Sequence, residues 1–272
     1  MLLSGFEILA ILELIIFTPA LFASIVVVYN HGHQKQLGWR FLVMICLFRI
    51  IGASTVLASV HHPSSGLTIT YDVMNSFGLS AVIYTALGLL SRVQSGLDHH
   101  GLPAALFRLL GLPGLAGLIL CIIGSVNIFS NDPSDQGEGL TYYRVAMILF
   151  LVVFIADVLI TIHCFMKISH VQQRDRRILY AVTASIVFMA LRTCFSLLCA
   201  FANNPTLFSS WSLEWEAILV HGCLGVLMEA IVVGIFLWAG FTTAAAARPA
   251  SPRRKVGPAV YHEDLEDAKQ GP

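Results

Sequence analysis

Apolar residues fill most of this chain in long blocks, each about as long as a helix that crosses a bilayer. Seven blocks stand out, at about 6–29, 38–60, 68–90, 104–126, 143–166, 177–201 and 216–240. A helix needs roughly 20 predominantly apolar residues to span the hydrocarbon core. The stretches between the blocks (NHGHQKQ, HHPSSG, SGLDHHGLP, NDPSDQGEG, SHVQQRDRR and NNPTLFSSWS) are polar or turn-forming. The pattern predicts an all-α fold: a polytopic membrane protein built as a seven-transmembrane-helix bundle.

Composition agrees with that class. The chain is 57% hydrophobic and 12% charged, against about 25% charged in soluble domains, and its mean hydropathy is +0.78. A net charge of zero says nothing about partners; the expected environment is the lipid bilayer, with no nucleic acid. The distribution of charge says more. Lys35, Arg40, Arg92, Arg108, Lys167, Arg174, Arg176 and Arg177 flank the odd-numbered connections. The even-numbered ones carry only Arg144, and the fourth is acidic through Asp132, Asp135 and Glu138. Basic residues mark cytoplasmic loops, so the amino terminus is expected outside or in the lumen and the carboxyl terminus in the cytoplasm. An integral, multi-pass protein of the endoplasmic reticulum is the expected location.

The membrane domain is expected over 1–240. Residues 241–272 turn Ala-, Pro- and charge-rich and read as a disordered cytoplasmic tail, with SPRRK placed to meet anionic lipid. Glu7 and Glu13 in the first block, and no basic stretch before it, argue for a retained first span over a cleaved signal. The six cysteines all fall inside apolar blocks and read as buried free thiols. Gly111, Pro113, Gly114 and Gly117 predict a kinked, closely packed fourth span.

Arg49 sits at the middle of the second block. An arginine at that depth costs roughly 2.5–3.5 kcal/mol on insertion scales and must find an acceptor. Counting about 1.5 Å per helical residue brings Glu13, Asp72, Arg192 and Glu229 to similar depths on four other spans. Asn75 and His221 lie nearby, and Asp157 is somewhat deeper on the fifth span. These residues predict one shared polar cavity opening toward the outer or lumenal side. Simple interhelical ion pairing is the plainer alternative. Because the acids outnumber the arginines, one carboxyl is expected to lack a cation and to keep its proton.

Other signals weigh less. NDPSD at 131–135 matches an Asn-Asp-x-x-Asp diphosphate motif but occurs once, in what reads as a loop. The His pairs at 61–62 and 99–100 read as solvated turns. Fingerprints for serine hydrolases, zinc proteases and nucleotide binding are absent.

The segments ELIIFTPAL (13–21), FLVMICLFRIIGA (41–53), ALGLLSR (86–92) and LRTCFSLL (191–198) resemble a group of small fungal seven-span membrane proteins. That group includes the membrane-bound terpene cyclases of ascochlorin and ascofuranone formation, and the resemblance covers about 6–240. It implies a cyclase of meroterpenoid secondary metabolism, an isomerase or lyase needing no metal and no cofactor. The implied substrate is a hydrophobic small molecule with an isoprenoid tail whose terminal double bond is an epoxide. A prenyltransferase and an epoxidase would act before it. Glu13 and Glu229 are then the leading catalytic acids, with Asp72 third. Arg49 and Arg192 would hold a carboxylate ionised, and Asn75 and His221 would orient substrate oxygen or relay a proton. A seven-span transporter or sensor of a lipid or small molecule is the alternative.

Overall fold

The structure, a computed structural model, describes residues 5–31, 37–97, 102–130, 132–202 and 215–245. Its helices run antiparallel in succession: α1 (Gly5–His31), α2 (Leu37–His61), α3 (Ser65–Ser95), α4 (Ala104–Ile128), α5 (Pro133–Met166) and α6 (Gln173–Phe201). The last span consists of α7 (Trp215–Val220), a π-helical segment (His221–Leu227) and α8 (Met228–Ala245). Seven runs are long and apolar enough to cross a membrane. The all-α seven-span bundle expected from the apolar blocks is therefore what forms.

Most boundaries shift by one to five residues, and the shift at the start of the fifth helix is larger. The fifth helix begins at Pro133, not near 143, because its start is capped. Asp132 accepts from the Ser134 amide at 3.0 Å and from its hydroxyl at 2.7 Å, and Pro133 occupies the first turn, where a missing N–H costs nothing. So 132–135 of the diphosphate-like motif is a helix start, while Asn131 lies outside the described residues. At the other end α8 continues to Ala245, past the expected boundary at 240. The rest of the tail, the His99–His100 pair and Lys35 fall outside the described residues.

Burial ranks the spans. Of the most apolar eighteen residues of each, 78% are buried in α3 but only 22% in α1. Thus α3 is the axis, touching α2, α4, α5, α6 and α8, while α1 leans on α2, α7 and α8. The outer surface is apolar: Ile15, Phe22, Leu159, Val187 and Trp238 are all more than half exposed, as a lipid-facing surface requires. Cys46, Cys121 and Cys164 are buried, but Cys194 and Cys223 are exposed, correcting the expectation that all six thiols are interior. No two described cysteines are bonded.

In a bilayer, helices gain little from hiding apolar area and associate by close packing. The α4–α5 contact shows this. A Cβ on Gly124 would lie 2.8 Å from the Tyr143 amide nitrogen and 2.9 Å from the Gly139 carbonyl oxygen. Only hydrogen atoms fit there. Pro113 lies within α4 without interrupting it, and the Tyr84 hydroxyl donates to the Gly111 carbonyl at 2.7 Å. At the opposite end of the bundle Arg92 reaches Asp175 at 3.6 Å, joining α3 to α6.

Gly124→Val should force α4 from α5 and destabilise the bundle by about 1–3 kcal/mol, the usual range for overpacking. Gly111→Ala, with open space at its Cβ, should be neutral or mildly stabilising; thermal melts in detergent compare the two. The hydrogen bonds from Ser134 also hold the exposed Asp132 carboxyl below the usual aspartate range. The cap therefore stabilises α5 above the unfolded value near 3.9 and is lost as pH falls through the lower folded value. Amide exchange at Ser134 should quicken over that acid range in the native chain and show no such transition in Asp132→Asn.

Candidate functional site

Buried charge converges at one level of the bundle. Glu13 of α1, Arg49 of α2, Arg192 of α6 and Glu229 of α8 are all 2% exposed or less. Arg49 donates to Glu229 through a short hydrogen bond from Nη2 to Oε2. Its other terminal nitrogen, Nη1, lies 3.5 Å from Glu13 Oε1. Arg192 reaches the same Glu229 oxygen from Nε at 3.4 Å. It also donates to Asn75 Oδ1 at 3.0 Å and to the Ser196 hydroxyl at 2.5 Å. The ring of Phe17 lies 5.9 Å from the Arg49 guanidinium carbon, a distance at which a π face attracts a cation.

Each helix delivers its residue for a local reason. Ser196 stands four positions after Arg192 on α6, and its hydroxyl lies on the same helix face to take the guanidinium. Gly78 of α3 clears the space the cluster fills. A Cβ there would sit 2.6 Å from Glu229 Oε1 and 3.4 Å from Arg49 Nε. The axial helix contributes an acceptor at Asn75 and a gap at Gly78.

Asp72 is half-buried on α3, one position after Tyr71 and three before Asn75. Asp157 is 1% exposed, and neither carboxyl oxygen has a hydrogen-bond partner among the described residues. The carboxyl without a cation is thus Asp157 on α5. Within the cluster two carboxyls face two guanidiniums.

Among the described residues the space beside Glu13 is small. Beside Glu13 lies a crevice of about 160 Å³ lined by Phe6, Leu9, Ala10, Ala53, Val56 and Tyr71. Small-molecule sites usually measure about 300–1,000 Å³, so this is a slot too narrow for a guest. Aromatic rings close it: Phe6 packs edge-on to Tyr71 at 5.8 Å. His221, also buried, meets the Tyr71 hydroxyl through Nε2 at 2.8 Å. It stands beside the ion pairs without joining them. Sequence reasoning missed Gly78, Ser196 and the part played by Tyr71. A glycine or serine within an apolar run carries no signal of which neighbour it faces. Among the described residues no three His, Cys, Asp or Glu side chains are grouped to hold a metal.

With this geometry in view, comparison with known proteins finds one family. The model described as "Domain of unknown function (DUF7702)" matches residues 3–246. No curated protein and no solved structure matches the chain.

Glu229→Met should cost about 3–5 kcal/mol, because it strands the buried Arg192 guanidinium. Adding Arg192→Met should recover part of that loss, and thermal unfolding of the two single variants and the double variant reads the coupling. Additive losses would mean that Arg192 and Glu229 act independently.

Proposed function

We propose that this chain, which belongs to the DUF7702 family, is a membrane-embedded acid catalyst that cyclises a prenylated small molecule bearing a terminal epoxide. One observation carries the reading: the two carboxyls share the arginines unequally. Glu229 accepts from both guanidiniums through one oxygen, whereas Glu13 has a single 3.5 Å contact with Arg49 and lines the crevice. Glu229 is the fixed anion, and Glu13 is the proton donor. Asn75 and Ser196 hold Arg192 in place.

The charge count favours the step. With Glu13 protonated, the four side chains carry two positive charges and one negative. When Glu13 gives its proton to the epoxide oxygen, the new carboxylate meets Arg49 and the cluster becomes neutral. The site therefore stabilises the donor's product state more than its resting state, which is the condition for catalysis. The epoxide C–O bond opens as the alkene π electrons attack its carbon, and the cation that results lies near the Glu13 carboxylate.

Admission of the substrate requires the slot to widen. The least buried span, α1, carries Glu13, Phe6, Leu9 and Ala10 of its lining and is the wall that yields. The reading also places the Glu13 end of the bundle on the lumenal side of the endoplasmic reticulum membrane. Arg40, Arg92, Arg108, Lys167, Arg176 and Arg177 belong to the opposite end, which supports that orientation. A prenyltransferase and an epoxidase would supply the substrate. A second reading, a proton-linked carrier or a sensor, draws on Asp157, a buried acid the cyclase does not use.

Purified full-length protein in lipid nanodiscs, given a synthetic phenol with a terminally epoxidised farnesyl chain, tests the proposal by product analysis. Glu13→Gln should lower cyclisation at least 100-fold, within the range for loss of a general acid, while the bundle still melts cooperatively. Normal product formation by Glu13→Gln would rule out the donor assignment. Proton-driven uptake into vesicles that Asp157→Asn abolishes would favour the carrier.

A further inference from the structure

Beyond the ion pairs, at the end of the bundle where α1 begins, lies a second buried constellation. Tyr71 and His221 are 3% and 2% exposed, with the hydroxyl 2.8 Å from Nε2. The imidazole lies nearly parallel to Phe6, with centroids 6.5 Å apart and planes 17° from parallel, and edge-on to Phe195 at 5.7 Å. Gly225 packs beside the ring, where a Cβ would stand at ordinary contact distance, 3.6 Å from Nδ1. Nδ1 itself has no hydrogen-bond partner among the described residues. Tyr71 and Glu13 line the same crevice, on α3 and α1.

The π segment accounts for this placement. His221 opens it, and Glu229 follows its end by two positions. In unbroken α-helix the two side chains would point about 80° apart, at about 100° per residue. A π turn absorbs one extra residue, which brings them to within about 20° of each other. The last span thereby turns both its ion-pair anchor and its imidazole inward. π-helical turns are rare and occur mostly where function requires them.

We propose that Tyr71 and His221 together form the base that ends the cyclisation, with Tyr71 touching the substrate and His221 storing the proton. The inference rests on the reading of Glu13 as proton donor. A C–H bond beside the cationic carbon breaks and its electrons become a C=C bond. The proton passes to the Tyr71 oxygen as the hydroxyl proton moves to His221 Nε2. Phe195, with its centroid 5.7 Å away, stabilises the imidazolium so formed as aromatic rings do other cations. Return of that proton to the Glu13 carboxylate resets the site, so the overall reaction is an isomerisation with no net proton change.

The test uses the full chain in nanodiscs with the same epoxyfarnesyl phenol. In Tyr71→Phe, which keeps the ring, substrate should still be consumed. The ratio of the wild-type alkene to water-quenched or prematurely deprotonated products should fall at least tenfold. His221→Gln should reproduce the shift, and a ratio unchanged in both variants would overturn the inference. A second measurement needs no turnover: N,N-dimethylfarnesylamine, a stable cation in place of the carbocation, is titrated against ¹⁵N-histidine-labelled protein. The His221 signal should move in the native chain and in Glu13→Gln, with about tenfold weaker binding in Tyr71→Phe. A silent His221 signal would overturn the base site. A responsive one in a chain that forms no cyclic product would retain the site and discard the cyclase reading.

Discussion

Two guanidinium groups enclosed in an apolar bundle have to be neutralised from within, and Glu229 does most of that work. Taking a charge out of water costs several kcal/mol even after relaxation. Helices α2, α6 and α8 can therefore pack only in the rotation that brings Arg49 and Arg192 to one carboxylate. That requirement reaches into α3, which is small at Gly78 and supplies a carbonyl-type acceptor at Asn75. Apolar contacts against lipid-like neighbours discriminate poorly between rotations, whereas a stranded ion does not tolerate a wrong one.

The same constraint ties one part of the molecule more tightly than another. Glu229 is tied to two helices, while Glu13 is tied to one and belongs to the least buried span. On the function proposed above, the donor would stand on the less tightly held helix and the anion on the more tightly held ones, and the narrow slot beside Glu13 would keep water from a carbocation.

The π segment links the ion pairs to the aromatic group above them. By adding a residue within the last span it places His221 over the same interior that holds Glu229. Glu13 and Tyr71 then line one crevice from α1 and α3. Asp157 stands outside this scheme, a buried acid on α5 with no bonded partner among the described residues.

The sequence by itself determined the class, the number of spans and one electrostatic demand: a mid-span arginine in hydrocarbon needs an acid at its own depth. Length and hydropathy suffice for the first two because a bilayer has a known thickness, and depth follows from a constant helical rise. Glu13, Arg49, Arg192 and Glu229 were legible for that reason. Which way each helix turns was not. Asn75 gives an acceptor to Arg192, and Gly78, three positions on, leaves room for Glu229, because rotation about the helix axis is settled by neighbours far away in the chain. The early start of α5 hung on one capping aspartate, and the inward turn of His221 on a π segment that no hydropathy profile reveals. Only the tertiary structure decided that the two arginines share one carboxylate and that the crevice beside Glu13 is a narrow slot, since both are set by side chains meeting across several helices.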